Sequence, residues 1–304
     1  MRIANPIYDV VFKYLLDDEK VARLLLSALL GREVLELSYR ATELRHEVSP
    51  SILVLRLDFA ATVVLEDGTR KLVLIEIQKA RNPLDVLRFR KYLGAQYAFE
   101  ENVFLDASGR KQALPIVTIY FLGEGLERTT APVVRVNRLY LDAATGEEIP
   151  ITEPFVEALT HDCIVVQIDR LKDRRRTELE RLLMVFDQGL VEKGAHHHME
   201  VREDDYPERY QEVLRRLYRA IAEKDVRDGM DVEDEYLATL LDSARSLAER
   251  DQLLEAKELV IHEQAEALEV NARALKEKEK ALKEKEEALK EMSRLLEELR
   301  KGRG

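Results

Sequence analysis

The chain has 304 residues, 46% of them hydrophobic and 35% charged, with a formal net charge of −11. That length allows one large domain or two smaller ones, and that apolar fraction excludes global disorder. A single cysteine, Cys163, excludes an internal disulfide framework and fits a reducing cytoplasm, and no run approaches the ~18 consecutive apolar residues of a membrane span.

The opening residues MRIANPIYDVVFKYLLDDEK lack the charged-then-apolar pattern of a secretory leader, so a cytoplasmic location with no membrane partner is expected. Asn5-Pro6 suits a helix start, because proline fits an early helical position and asparagine can cap. Val10, Val11, Tyr14 and Leu15, then Val21, Leu24, Leu25, Ala28 and Leu29, keep helical spacing. Asp17-Asp18 marks a break between two helices, and Gly31 ends the second. Residues 34–44 read as a strand. SILVLRLDFAATVVL, then EDG, then TRKLVLIEIQ read as a long β-hairpin. From Pro83 to about Glu101 the spacing of Leu84, Leu87, Tyr92, Leu93 and Tyr97 is helical, with Asn82 as a candidate cap. LPIVTIYFL (114–122) is an apolar run of strand length, as in a strand buried on both faces. Residues 133–141 and 162–168 read as further strands, 175–190 as a helix, and 206–250 as an acidic helical stretch. Cys163 falls in an alternating apolar run and reads as a buried structural thiol.

The order of helices, three strands, helix and strand predicts an α/β unit with a central mixed sheet. Beyond it lies a heptad repeat. An apolar residue recurs at every seventh position from Leu240 through Leu247, Leu254, Ile261, Leu268, Leu275, Leu282 and Leu289 to Leu296. Such a period predicts a long helix that supercoils on a partner. Four residues after these apolar positions stand Asp251, Glu258, Ala265, Ala272, Glu279 and Glu286, so the second seam position is poor. A solitary helix held by Glu–Lys pairs is the competing expectation.

Within the hairpin, period two puts Val54, Arg56, Asp58, Ala60 and Thr62 on one face of the first strand, and Leu74, Glu76 and Gln78 on one face of the second. A two-residue Asp67-Gly68 turn would set Asp58 opposite Ile77. A three-residue Glu66-Asp67-Gly68 loop with a left-handed Gly68 sets Asp58 opposite Glu76, and this register is predicted. Two adjacent carboxylates repel unless a hard cation such as Mg²⁺ lies between them. Such an ion activates water for attack on a phosphoryl group. Gln78 does not titrate, so it can orient a water but cannot act as a base. Residues 1–125 carry 17 basic and 17 acidic side chains, so the chain's acidity lies further on. Lys79, Arg81, Arg88, Arg90 and Lys91 cluster with Asp85 alone opposing them, either as a phosphate-contacting patch or as a solvated helix face. His196-His197-His198 reads as an exposed loop, and His161 and His262 as surface positions.

Asp58 followed by Glu76-Ile77-Gln78 resembles the PD-(D/E)xK nuclease superfamily, with glutamine where lysine is usual. NPIYDVVFKYLLDDE, with its Asp-x-x-Phe-Lys, RFRKYLGAQY (88–97) and CIVVQIDRLKD (163–173) narrow the resemblance. They are similar to segments of the Rpn-type recombination-promoting nucleases, also described as PD-(D/E)xK transposases. The resemblance covers roughly residues 4–190. It implies a restriction-endonuclease-like core over 1–190, leaving 191–250 as an acidic helical region and 251–304 as a heptad-repeat charged helix. It further implies Asp58, Glu76 and Gln78 as catalytic residues, and Asp58, Glu76, the Ile77 carbonyl and Asp9 around Mg²⁺ or Mn²⁺. Lys13, Lys79, Arg88, Arg90 and Tyr92 are then the expected DNA contacts. The implied activity is a DNA endonuclease of recombination, mobile-element or defence biology; the heptad repeat, apart from the resemblance, adds the expectation of a homo-oligomer through the C-terminal helix. The rival expectation is a catalytically inactive scaffold or binding module that self-assembles in the same way.

Overall fold

The computed structural model describes the backbone of all residues except 49–50, 80–82, 107, 173–174 and 302–304, and side chains except these and 44–56, 83–85, 240, 244 and 295–301. The Asn82 cap, Arg81, the side chain of Asp85, the side chains of Val54 and Arg56, and Leu240 and Leu296 of the heptad seam fall outside it.

The chain opens with a short strand, β1 (Arg2–Ala4), then α1 (Asp9–Leu16) and α2 (Glu19–Leu30). Asp18 caps α2 by accepting the Val21 N–H at 3.2 Å, and Gly31 ends it at φ 70°, as the Asp17-Asp18 break and Gly31 predict. The first helix starts later than the Asn5-Pro6 reading, because Asn5 is spent on a turn: its Oδ1 accepts the Ile7 N–H at 3.2 Å while its amide donates to the His196 carbonyl. β2 (Val34–Tyr39) and β3 (Glu43–Val48) divide the single strand expected over 34–44. The long first arm of the hairpin divides as well, into β4 (Ser51–Arg56), which pairs back onto β3, and β5 (Phe59–Leu65), which pairs with β6 (Arg70–Gln78). Leu57 and Asp58 lie in the break, where the Leu57 N–H donates to the Thr42 carbonyl.

Next come α3 (Pro83–Ala98), the small hairpin of β7 (Val103–Leu105) and β8 (Lys111–Ala113), β9 (Ile116–Leu122), β10 (Val133–Val136), α4 (Pro154–Leu159) and β11 (His161–Gln167). The helix expected over 175–190 is α5 (Glu178–Leu183), followed by two 3₁₀ turns at 184–186 and 188–190. Asp187 separates those turns with an extended backbone, and its side chain accepts the Gly189 N–H, so the helix cannot continue. Beyond lie β12 (Val191–Glu192), β13 (Ala195–Glu200), α6 (Gln211–Ala220) and α7 (Lys224–Lys301). The expected acidic helical region therefore begins with two strands, because β13 pairs with both β12 and the N-terminal β1. The chain divides into two compact units, Met1–Asp234 and Glu235–Gly304.

The protein is α/β, with a six-stranded mixed sheet in the order β10-β11-β9-β6-β5-β2. β6, β9 and β11 run parallel, and β9 between them is almost wholly apolar and buried, as its run of hydrophobic residues predicts. Alternation gives each sheet face its own core. Phe59, Ala61, Val63, Val73, Ile75, Ile119 and Phe121 pack with α1, α2, α5, α6 and the first turns of α7. Ala60, Leu72, Leu74 and Ile116 pack on the other face with Phe89, Tyr92 and Leu93 of α3. Where β6 and β9 end, Gly123 donates its N–H to the Gln78 carbonyl at 2.7 Å. A Cβ there would stand 2.0 Å from the Lys79 carbonyl oxygen, main chain that cannot swing aside. Gly123→Ala should therefore cost about 1–3 kcal/mol, read as a lower urea midpoint at unchanged m-value.

Candidate functional site

The β5–β6 register decides where the acids fall. The Leu65 N–H donates to the Thr69 carbonyl and the Gly68 N–H to the Leu65 carbonyl, each at 2.9 Å, with Gly68 at φ 80°. This is the expected three-residue loop, and it pairs Phe59 with Ile75 and Ala60 with Leu74. One step further, Asp58 stands opposite Glu76. The predicted alternation through Asp58 does not hold, because the strand is interrupted there. Leu57 turns into the α3-side core while Phe59 turns into the other, and Asp58 lies between them in the break before β5. Alternate ladder pairs from Leu65–Thr69 onward are hydrogen-bonded, so the Ile77 N–H points towards the place β5 has vacated. The Asp58 carboxylate fills that place and accepts this N–H at 2.6 Å.

Three carboxylates meet here. Asp58 is 15% exposed, and its pKa is pushed well above the usual carboxylate range by burial first, then by the charge of Glu76, then by that of Asp9. The Ile77 N–H works in the opposite direction. Asp9 Oδ1 is buried without a donor, and a proton on Asp58 supplies one, which adds to the rise. Glu76 is buried on β6 and ion-paired with Arg88 of α3, whose own side chain is 52% exposed. Lys13 reaches Asp9 at 2.6 Å and Asp58 at 4.0 Å. Gln78 closes β6, half-buried beside β9. The cluster lies at the carboxyl ends of the parallel strands, the end where open α/β sheets bind ligands. Among the described residues, no three His, Cys, Asp or Glu side chains stand in a ready metal-ligating arrangement. The cleft of about 990 Å³ beside α2, lined by Arg23, Arg32, Glu66 and Arg209 among others, contains none of these carboxylates.

The expected DNA contacts separate. Arg90 is exposed on α3, and Arg88 and Lys13 reach solvent from the carboxylate cluster. Tyr92 is 1% exposed and donates its hydroxyl to the Ala41 carbonyl at 3.1 Å, so it is a core residue with no face for a nucleic acid. Lys79 turns inward. Its ammonium lies 3.2 Å from the centre of the Tyr8 ring and 3.0 Å from Glu233, so its charge is used inside the protein. Burial lowers its pKa, while Glu233, Asp234 and Asp9 oppose the fall.

No local sequence pattern signals the cluster around Lys79. Glu233, on α7, accepts the N–H groups of Asp9 at 3.1 Å and Val10 at 2.9 Å, capping α1 from 224 residues away, since Tyr8 at the cap position offers no side-chain bond. Asp234 accepts the Tyr8 hydroxyl at 2.9 Å and holds His197 Nε2 at 2.8 Å. The close approach passes over Gly229, where a Cβ would stand 2.9 Å from Val10. The expected histidine loop is instead strand β13, where His198 pairs with Ala4 of β1 and the carbonyls of His197 and His196 accept the Asn5 N–H and side-chain amide. His161 is half-buried, with Nδ1 2.9 Å from the Tyr97 hydroxyl. Cys163 is a free thiol, half-buried rather than fully enclosed.

Fold and site define an α/β protein with a crowded carboxylate cluster at the end of its central sheet. No protein-family model, curated protein or solved structure matches the chain. Among the described residues, no helix is long and apolar enough to cross a membrane.

A carboxyl whose folded pKa is raised favours the fold only while it is protonated, and that advantage is lost as pH rises through the folded value. Asp58→Asn keeps an acceptor for the Ile77 N–H and removes the charge. Its thermal midpoint should exceed that of the wild type at neutral pH, and the gap should close as pH falls towards the ordinary carboxylate range. Glu233→Ala should cost about 1–2 kcal/mol in urea unfolding, through the lost α1 cap and the half-buried Lys79 ammonium left with fewer partners.

Proposed function

We propose that Met1–Asp234 is a metal-dependent DNA endonuclease of the PD-(D/E)xK type, working in recombination, mobile-element or defence biology. The convergence of Asp9, Asp58 and Glu76 at the sheet's carboxyl end carries this reading. Three mutually repelling acids gathered at one strand end are costly to a fold, and one nearby cation, Lys79, is spent on Glu233 and Asp234 instead.

The donor chemistry fits a hard divalent cation. All donors are oxygens, Asp58 carries repulsion that a cation relieves, and a buried Asp9 oxygen has no donor but a proton on Asp58, whose place a cation would take. Asp58 and Glu76 would hold Mg²⁺ or Mn²⁺, assisted by Asp9 and the Ile77 carbonyl. When bound, the ion would acidify a coordinated water and polarise a phosphoryl oxygen. The chain's own groups prepare that chemistry. The Ile77 N–H fixes the Asp58 carboxylate, and burial keeps Glu76 from wandering into solvent. Gln78 orients the attacking water through its amide and leaves proton removal to another base. Arg88, Arg90 and Lys13 contact the phosphate backbone and position it without reading bases.

The Glu76–Arg88 ion pair favours a second reading. In it, Arg88 permanently supplies the positive charge that a cation would bring, and the unit is an inactive nuclease-like binding or scaffold module.

Incubation with plasmid and Mg²⁺ or Mn²⁺ separates the two. On the first reading the wild type nicks or linearises the plasmid, while Asp58→Ala and Glu76→Gln each lose at least about 100-fold in rate, the scale of a lost metal ligand. Cleavage that survives both substitutions ends the nuclease proposal, and a wild type inert with either ion selects the scaffold.

A further inference from the structure

The unit Glu235–Gly304 carries a seam that its own helix leaves uncovered. From Leu247 to Leu289 seven apolar side chains at heptad spacing are each 57–69% exposed. At about 1.5 Å per residue that seam is roughly 63 Å long. In a two-stranded coil of 3.5 residues per turn, the residues three and four places after each seam position flank it at about 51° on either side.

These flanks carry opposite charge. Three places on stand Arg250, Lys257, Lys278 and Lys285, and four places on stand Asp251, Glu258, Glu279 and Glu286. The two central heptads are neutral on both flanks, with Gln264 and Asn271 on one side and Ala265 and Ala272 on the other. All of these positions are exposed. Basic and acidic flanks therefore match heptad by heptad.

From this juxtaposition we propose that the helix pairs with a second copy of this chain as a parallel, in-register, left-handed coiled coil. A two-fold axis along the coil brings each helix's basic flank against the partner's acidic flank, so all four charged heptads attract on both sides. An antiparallel pair centred on Leu268 does the reverse. It sets Glu258 against Glu279 and Asp251 against Glu286, and on the other side Lys257 against Lys278 and Arg250 against Lys285. The alanine and charged positions beside each leucine make a thin seam, so orientation rests on the flanks more than on the core. The seven-residue period sets the left-handed supercoil. A parallel pair joins the two Glu235 ends, so both copies of the preceding unit are tethered at the same end of the coil, as paired cutting or bivalent binding requires. The inference stands on this helix alone and is independent of the nuclease reading.

Sedimentation equilibrium of the full chain should give twice the 35.2 kDa chain mass. In a Cys163→Ser background, Leu247→Cys alone and Leu289→Cys alone should each form an inter-chain disulfide on mild oxidation. A triple variant, Lys257→Glu, Lys278→Glu and Lys285→Glu, should weaken association at least tenfold at low salt. A monomeric wild type overturns the proposal. So does cross-linking only in a mixture of the two cysteine variants, which reports antiparallel pairing, or in none of them, which places any dimer contact elsewhere. An unchanged affinity in the triple variant overturns it as well.

Discussion

A turn of three residues, Glu66-Asp67-Gly68, sets the placement of every acid in the candidate site. Gly68 at φ 80° lets the loop close with the Leu65 N–H on the Thr69 carbonyl, and from that bond the β5–β6 ladder is fixed. A loop one residue shorter would bring Ile77 opposite Asp58 and send Glu76 to the other partner. Asp58 then does what a main-chain carbonyl would do in an unbroken strand, closing the ladder at the Ile77 N–H with a side-chain oxygen. The break in the strand is thereby satisfied, and a carboxyl group is committed to a buried position next to two others, which disfavours its charge.

Cations are distributed to serve that arrangement. Arg88 goes to Glu76, Lys13 lies between Asp9 and Asp58, and Lys79 is drawn off to Glu233 and Asp234. The acids that take Lys79 are the ones that hold α1. Glu233 binds the first N–H groups of that helix, and Asp234 joins Tyr8 to His197. Asp9 is thus placed from both directions along the chain, by its own helix and by residues more than 220 positions later. The pairing of β1 with β13 works to the same end, tying the N-terminus into the same side of the fold.

Strong local signals carried through to structure. The Asp18 cap and Gly31 stop, the buried parallel β9 and the Gly68 loop each depend on φ preferences, local hydrogen bonds or unbroken apolar runs, which neighbouring residues express directly. Where the local pattern is ambiguous, bonds to distant residues decide. SILVLRLDFAATVVL looks like one strand because its alternation is tolerable throughout, yet Leu57 spends its N–H on Thr42 and splits it. Tyr92 sits in a helix whose spacing suits a core aromatic and whose charges suit a nucleic-acid face, and packing under β5 and β6 makes its ring core.

By itself, then, the sequence determined the α/β class, the loop that brings Asp58 opposite Glu76, and the heptad period of the C-terminal helix, since each is written in residues close together along the chain. Tertiary structure alone decided that Asp58 closes the ladder at Ile77, that Lys79 faces inward, that the three histidines lie on a strand and that Glu233 caps α1. These depend on pairings across up to some two hundred residues, where hydrogen-bond satisfaction and charge neutralisation select partners that no local period encodes.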